Sequence, residues 1–373
     1  MKTPVSRYNS RREFLRLVSL GTAAVATGVG LPGYAKALEK TSGRKLGVAL
    51  LGLGSYSTNQ LAPALRQTKL CELVGVVTGH PEKAAQWAKD FNLPEKNLYS
   101  YENMDHIADN KDIDIVYVVT PPGVRRDFVI HMAKAGKHVI SEKPLATTVA
   151  DCDAMIAACK NAKVKFSVGY RLHFDPYIKE MMRLQRDEDF GPFMKMTGDR
   201  GFVFGNHAWR IEKKLAGGGP MMDLGIYIVQ GACMAAGATP IAVTAHEEPK
   251  LRPDFFNEVE ETISFKLEFP NGTICDAVTS FNHNADHFRA EGAKGWFDLQ
   301  EHAFGYQIGK CVTSRGPLNY GPPINQQAAQ MDDFADCIVT GRETPVSGEM
   351  GLRDIKIISA VYEAARTGKR VTV

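Results

Sequence analysis

The sequence predicts an α/β chain: a doubly wound parallel sheet towards the N-terminus, then an α+β unit with an open, mainly antiparallel sheet. Three observations predict it. Between residues 45 and 141, apolar runs of strand length alternate with helical patterns, as in a parallel sheet covered by helices. The first run passes straight into a glycine turn, Gly52-Leu53-Gly54-Ser55-Tyr56-Ser57. From about residue 165, longer strands follow one another with few helices between them. The 373 residues also exceed what one ordinary core organises.

In chain order, a leader comes first. Ser10-Arg11-Arg12-Glu13-Phe14-Leu15-Arg16 precedes a weakly apolar run over 17–31, and Ala35-Lys36-Ala37 is a small-x-small exit. Basic head, short apolar middle and small-residue exit make a secretory signal over 1–37. The run is short and rich in Ala, Gly and Thr, so it is a poor membrane span. The paired arginines resemble the twin-arginine export signal. That resemblance implies the twin-arginine export machinery as a partner, a periplasmic address and export in the folded state.

The leader also distorts the charge balance. Lys2, Arg7, Arg11, Arg12, Arg16 and Lys36 stand there against Glu13 alone. The chain has 45 basic and 42 acidic side chains, so the body keeps 39 against 41. That body has no reason to seek nucleic acid. An apolar content of 44% excludes a disordered chain, and no apolar stretch of membrane length follows the leader. The seven cysteines are odd in number and form no C-x-x-C pair. Folding before export would let them stay buried thiols, so neither an obligatory disulfide nor a zinc site is expected.

After a short arm, 38–44, the nucleotide-binding domain is read over 45–164. Residues 45–51 are its first strand, and 58–68 the helix after the turn, with Leu61, Ala64 and Leu65 on one face. Strand, glycine turn and helix are half of a Rossmann dinucleotide site. Gly52 permits the tight turn, and Gly54 lets the backbone approach a pyrophosphate at the helix N-terminus. Ser57 stands where a third Gly or Ala usually packs helix on strand.

Strands follow at 72–78, 114–120 and 138–141, with helices at 82–91 and 124–135. Ligands bind such sheets at the carboxyl ends of the strands. Gly52, Thr78, Thr120, Pro121, Glu142 and Lys143 fall there, with Ser55 and Tyr56 in the turn. The second strand lacks the Asp or Glu that holds a ribose 2′-hydroxyl and has Thr78-Gly79-His80, then Lys83. With a cation near and no carboxylate expected, NADP is favoured. NAD stays open, since Lys83 can equally be a solvated helix residue.

The second unit is read over 165–325. Strands are expected at 193–202, 241–248, 260–269 and 273–281, the last two joined by a hairpin turn at Pro270-Asn271-Gly272. Asp175-Pro176 opens a helix with a cap and an N1 proline. Another helix, 221–234, follows Gly217-Gly218-Gly219-Pro220. Late helices at 326–339 and 352–365, within 326–373, are expected to pack back on the first domain.

Three stretches carry chemistry. In Glu142-Lys143-Pro144, a lysine at a strand end can orient a substrate hydroxyl, and can take a proton if its pKa falls. Gly169-Tyr170-Arg171-Leu172-His173-Phe174-Asp175 gathers aromatic, cationic and titratable groups, although an ordinary strand-to-helix turn fits it too. Asp223 and Tyr227, four apart on a helix, can share one cleft or simply pair structurally.

These stretches resemble the glucose–fructose oxidoreductase / inositol dehydrogenase (Gfo/Idh/MocA) family, above all its glucose–fructose and aldose–aldose branch. The matching motifs are G-L-G-S-Y-S-T-N-Q at 52–60, V-T-G-H-P-E-K-A at 77–84, E-K-P-L-A at 142–146, Y-R-L-H-F-D-P at 170–176, W-R at 209–210 and A-G-G-G-P-M-M-D-L-G-I-Y at 216–227. The resemblance implies a tightly bound NADP or NAD and sugar substrates. It implies that Lys143 holds the reacting hydroxyl, that Tyr227 moves the proton and that Asp223 orients Tyr227 or the sugar. Tyr170, Arg171, His173 and Asp175 would line the sugar pocket, with Arg171 also near the cofactor.

A homo-oligomer, dimer or tetramer, is implied as well. The short arm and the absence of a C-terminal tail leave cofactor retention and tetramer formation open. The leading function is an exported oxidoreductase that oxidises an aldose to its lactone and reduces a second sugar with the same cofactor. An NAD-dependent glycosidase of this fold and an ordinary sugar dehydrogenase are the alternatives. A non-catalytic sugar-binding protein would not need Lys143, Asp223 and Tyr227 together.

Overall fold

The computed structural model describes residues 43–373. The leader expected over 1–37, and the arm as far as residue 42, lie outside the described residues.

The first sheet is built from β1 (Leu46–Leu51), β2 (Cys71–Val77), β3 (Leu98–Tyr99), β4 (Ile115–Val118), β5 (His138–Ser141) and β6 (Phe166–Val168). Its order is β3-β2-β1-β4-β5-β6, and every pairing is parallel. The winding direction reverses between β1 and β4, which opens a crevice at their carboxyl ends. β1 and β4 are buried along their whole length, which is why both read as unbroken apolar runs. Gly52 ends β1 at φ +96°, with its N–H donating to the Val77 carbonyl oxygen at 3.0 Å.

The helix expected over 58–68 is shorter than its pattern. A π turn at Ser57–Leu61 runs into α1 (Ala62–Leu65). Thr68 turns the chain into β2, its hydroxyl lying 2.8 Å from the Leu65 carbonyl oxygen and 2.7 Å from that of Cys71. Then come α2 (Pro81–Phe91), α3 (Pro122–Lys134) and α4 (Val149–Asn161). Thr148 caps α4, accepting from the Asp151 N–H at 3.1 Å.

The second sheet has nine strands: β7 (Phe193–Gly201), β8 (Ala242–Glu247), β9 (Thr262–Glu268), β10 (Ile274–Ser280), β11 (Ala285–Gly292), β12 (Gly295–Glu301), β13 (Lys310–Thr313), β14 (Gly316–Pro317) and β15 (Val371–Thr372). The order is β14-β13-β12-β11-β7-β10-β9-β8-β15. Only β7 and β10 run parallel; the other neighbours are antiparallel. The expected turn joins β9 and β10, with the Gly272 N–H donating to the Phe269 carbonyl oxygen at 3.0 Å.

The remaining helices are α5 (Pro176–Arg186), α6 (Lys213–Ala216), α7 (Ile226–Ala236), α8 (Gln326–Thr340) and α9 (Gly348–Thr367). α8 packs on the first domain: Met331 and Phe334 share a core with Val48, Leu50 and Leu61. α9 departs from expectation by serving both units. Its Ile358 and Val361 lie in one core with Met155 of α4 and Val243 of β8. Among the described residues no helix is long and apolar enough to cross a membrane. All seven cysteines are buried, unpaired thiols.

The glycine run before α7 differs in purpose from a ligand-approach loop. A Cβ on Gly219 would lie 2.3 Å from the Glu260 carbonyl oxygen, so the run allows backbone to meet backbone. The Glu260 carboxylate accepts from the N–H groups of Gly219 at 2.9 Å and Met221 at 3.0 Å, and from the Tyr362 hydroxyl at 2.8 Å. These bonds fix the start of the segment that carries Asp223 and Tyr227. Gly219→Ala should therefore lower stability by about 1–3 kcal/mol, the usual range for overpacking. Chemical denaturation measures this, and an unchanged midpoint would show that the turn relaxes freely.

Candidate active site

The crevice between β1 and β4 is lined first by the glycine turn. Around Gly54 there is open space: a Cβ there would have no atom within 4 Å. The Ser57 hydroxyl donates to the Gly52 carbonyl oxygen at 2.6 Å and so ties the π turn to the strand end. Ser55 is exposed beside Gly54, and Tyr56 lies with its ring 6.1 Å from that of Tyr306, across the crevice. Thr120, at the end of β4, has a buried hydroxyl without a hydrogen-bond partner among the described residues. Pro121 follows as the cap position of α3. An open cradle at a helix start and an orphaned hydroxyl on its rim fit a dinucleotide.

At the end of β2, Thr78 is buried and its hydroxyl accepts from the His80 N–H at 3.2 Å. Lys83 is exposed on α2. The expectation that no carboxylate stands there needs correction. Glu82 is beside it, 3.2 Å from the His80 ring. Lys83 follows it on α2, exposed, while Glu82 is turned to His80.

Glu142 also departs from its expected place. It faces inward, one carboxylate oxygen accepting from the Tyr117 hydroxyl at 2.6 Å and the other from the Lys143 N–H at 3.1 Å. Burial pushes its pKa up despite these bonds. Its carboxylate thus braces the end of β5 and is not offered to a ligand.

Lys143 reaches across to the second unit. Its ammonium donates to the Asp223 carbonyl oxygen at 2.6 Å and to Asp223 Oδ1 at 3.1 Å. It also lies over the Tyr227 ring, 4.5 Å from the centroid. Arg210 Nε donates to the other Asp223 oxygen at 3.0 Å. Burial alone would raise the Asp223 pKa, but Lys143 and Arg210 outweigh it and hold it at about 2. Burial alone would lower the Lys143 pKa, but Asp223, Tyr227 and Glu142 outweigh it and raise it. A lysine that could take a proton is therefore not what forms: Lys143 stays an ammonium and a donor. Asp223 is turned towards two cations and not towards Tyr227.

Tyr227 sits among three cations. Besides Lys143, the guanidinium of Arg171 lies 5.3 Å and that of Arg200 5.7 Å from its ring centroid. Burial would raise the phenol's pKa, but Lys143, Arg171 and Arg200 outweigh it and lower it from 10.0. Arg171 is itself fixed. Its Nη2 donates to the Phe304 carbonyl oxygen at 2.7 Å and lies 3.4 Å from the Tyr227 hydroxyl; its Nη1 donates to the Gly305 carbonyl oxygen at 2.6 Å and to Gln326 Oε1. The Phe304 ring stacks on Tyr227, with centroids 6.0 Å apart.

The expected sugar-pocket residues around Arg171 separate. Tyr170 is buried against Asp354 of α9 and Cys152 of α4. His173 faces Gln230 of α7 and Arg353 of α9; burial and Arg353 hold its pKa at about 4, so it is a neutral imidazole. Asp175 caps α5, accepting from the Tyr177 N–H at 2.9 Å, and takes the Gln326 amide at 2.7 Å. None of the three touches Lys143 or Tyr227: Asp175 reaches Arg171 through Gln326, while Tyr170 and His173 face α4, α7 and α9. The segment Arg171–Phe174 is a 3-10 turn, in which successive side chains point about 120° apart.

Sequence reasoning missed Arg200, Phe304, Tyr306 and Gln326 as site residues, and used Arg210 only within a motif. Arg200 stands on a strand and the other three follow β12, far along the chain, with no local spacing to betray them.

Residues 46–170 match an oxidoreductase family with an NAD-binding Rossmann fold, and residues 178–298 match the GFO/IDH/MocA C-terminal domain. The chain belongs to the GFO/IDH/MocA family and is an oxidoreductase. A crystal structure of aldose-aldose oxidoreductase from Caulobacter crescentus, complexed with glycerol, is similar at 42% identity and a TM-score of 0.86. It covers 88% of this chain and 100% of its own. D-xylose 1-dehydrogenase [NADP(+)] of Haloarcula marismortui is 28% identical over 339 residues, 87% of this chain and 92% of that protein. Trans-1,2-dihydrobenzene-1,2-diol dehydrogenase of Xenopus laevis is 32% identical over 322 residues, 79% of this chain and 88% of the relative.

The empty space around Gly54 makes a clean prediction. Gly54→Ala should change stability by no more than about 0.5 kcal/mol, since the new methyl meets nothing. Nicotinamide dinucleotide affinity should fall by about tenfold or more, because the methyl fills the pyrophosphate's place. Titration of the nucleotide against the thermal midpoint checks both; undiminished affinity would move the phosphates elsewhere.

Proposed function

We propose that this chain is an exported sugar oxidoreductase that carries its nicotinamide cofactor with it. It oxidises an aldose to the lactone and then reduces a second sugar in the same pocket. The observation that carries the reading is the Lys143–Asp223–Tyr227 constellation, which stands at the carboxyl end of β5 beside the glycine-turn crevice. The likeness to aldose-aldose oxidoreductase and to D-xylose 1-dehydrogenase supports a sugar as the substrate. The twin-arginine pattern of the leader supports export, and an exported enzyme has no nicotinamide pool to draw on.

The residues divide the work as follows. Gly52, Gly54, Ser55 and Tyr56 would hold the dinucleotide at the turn, with Thr120 and Pro121 on the opposite rim. Bound there, the nicotinamide supplies a hydride acceptor for one sugar and a hydride donor for the next. Lys143 donates to the reacting hydroxyl oxygen and keeps its own proton. Tyr227, as phenolate, takes the hydroxyl proton while the carbon's hydrogen leaves as hydride. In the reverse direction the Tyr227 phenol returns that proton to the carbonyl oxygen of the second sugar. Such proton transfer typically contributes about 10²–10⁴-fold.

Tyr227→Phe keeps the ring against Phe304 and loses the hydroxyl. Single-turnover rates in both directions should fall by about 10²-fold or more, with stability changed by no more than about 1–2 kcal/mol. The check is near-ultraviolet absorbance of reduced nicotinamide in freshly isolated enzyme mixed with an aldose and no added cofactor. Wild-type rates in the Phe variant would remove Tyr227 from the proton path. Absence of any signal in the wild-type protein would remove the retained cofactor.

The preference for NADP rests on Lys83. Lys83→Ala should weaken NADP more than NAD, by about tenfold at least, as expected for one charge-assisted phosphate contact. Competitive binding of the two dinucleotides to stripped enzyme measures it, and an equal loss for both would free Lys83 of that role.

A further inference from the structure

Arg171 approaches the Tyr227 hydroxyl with Nη2, at 3.4 Å, and is anchored behind by two further side chains. Its Nη1 donates to Gln326 Oε1, and Gln326 Nε2 donates to Asp175 Oδ2 at 2.7 Å. Arg171, Gln326 and Asp175 are all buried. An arginine can only donate and a carboxylate can only accept, so the orientation of the amide between them is dictated. A glutamate at 326 could not donate to Asp175, and a lysine could not accept from Arg171.

The three groups are brought together by separate elements. Arg171 opens the 3-10 turn before α5, Asp175 caps α5, and Gln326 is the first residue of α8. Tyr227 is faced by Lys143 and Glu142 at the end of β5, by Arg200 of β7, by Arg171, and by the phenols of Tyr56 and Tyr306. The cations favour its phenolate and Glu142 opposes it. Lys143 is paired with Asp223, and Arg200 with Asp286. Arg171 is different: among the described residues its hydrogen bonds go to Gln326, the Tyr227 hydroxyl and the carbonyl oxygens of Phe304 and Gly305, and to no carboxylate. Yet Asp175 stands one amide group away.

We infer that Gln326 is a positioning residue: as a neutral spacer it denies Arg171 the Asp175 carboxylate, and so keeps that guanidinium's full charge against the Tyr227 hydroxyl. An opposite charge in contact with Arg171 would cancel much of what it offers a phenolate. The spacer therefore sets the pH at which Tyr227 can accept a proton. Its bearing on catalysis rests on the sugar oxidoreductase reading, while the titration that tests it needs no sugar and no turnover.

The test exchanges the two polar groups. Asp175→Asn combined with Gln326→Glu keeps both side-chain lengths, the total charge and the order of donors and acceptors, and asparagine also caps helices well. The carboxylate now touches the guanidinium. Ionisation of Tyr227 is read as tyrosinate absorbance against pH, taken as the difference between each protein and the same protein with Tyr227→Phe. The exchange should move the Tyr227 midpoint up by about one pH unit, the low end for a neighbouring charge that is neutralised. Asp175→Asn alone brings no carboxylate to Arg171 and should give no upward move. Should the exchange fail to fold, Gln326→Met replaces it: the guanidinium can then turn to Asp175, the midpoint again moves up, and adding Asp175→Asn brings it back. A midpoint that stays put in the folded variant, or that rises as much in Asp175→Asn alone, overturns the inference and leaves the activity standing. A midpoint that moves in a protein whose wild type turns over no aldose retires the sugar reading and leaves the control of Tyr227 by Gln326 in place.

Discussion

A buried ammonium needs a counter-ion, and the pairing of Lys143 with Asp223 is the contact on which both halves of the molecule converge. Lys143 ends a strand of the first sheet, and Asp223 opens the segment that leads into α7 of the second unit. Neither could be buried alone at tolerable cost. Their supports extend in both directions. Glu142 and Tyr117 brace the lysine's strand end, while Glu260 pins the turn before Asp223 through two backbone N–H groups. Arg210 closes the second Asp223 oxygen. An arrangement that looks like a catalytic dyad is thus first a structural clamp between domains.

The clamp has a chemical consequence. With Asp223 engaged by two cations, Tyr227 is the member of the constellation whose protonation is shifted towards the charged form. Three cations surround its ring, and burial, which works against the phenolate, is outweighed by them. Arg171 is held by carbonyl oxygens and by Gln326, so its charge is not cancelled by a carboxylate of its own. Arg200 does pair with Asp286, which leaves Lys143 and Arg171 as the stronger influences. In the proposed reaction the proton therefore has one address, Tyr227, and Lys143 remains a donor that keeps its own proton.

Much of this was legible in the sequence, for physical reasons. Strands buried on both faces read as unbroken apolar runs, so β1, β4 and β5 and the glycine turn are legible, and β2 is legible from its buried C-terminal half. β3 and β6 have two and three residues, too few for any period to show. α4 and the strands β11 to β15 went unread, although β11 and β12 are long. Asp223 and Tyr227 were legible from helical spacing and from the resemblance. Tyr170 and His173 flank Arg171 in the sequence, but their side chains face α4, α7 and α9, which a linear reading cannot show. Glu82 was passed over because the search for a carboxylate stopped at the strand end. What the glycine run meets is Glu260, which a linear reading cannot place.

In the proposed reaction Tyr227, and not Lys143, exchanges the proton. The measurement that tests it most directly is the pH dependence of single-turnover hydride transfer, taken in both directions. Oxidation of the aldose needs the phenolate, so its rate should rise with pH through an apparent pKa below the 10.0 of a free tyrosine. Reduction of the second sugar needs the phenol, so its rate should fall through the same pKa. Both limbs should vanish in the Phe variant. Rates that rise together in both directions, or a limb that survives the loss of the hydroxyl, would contradict the assignment and return the proton to another group.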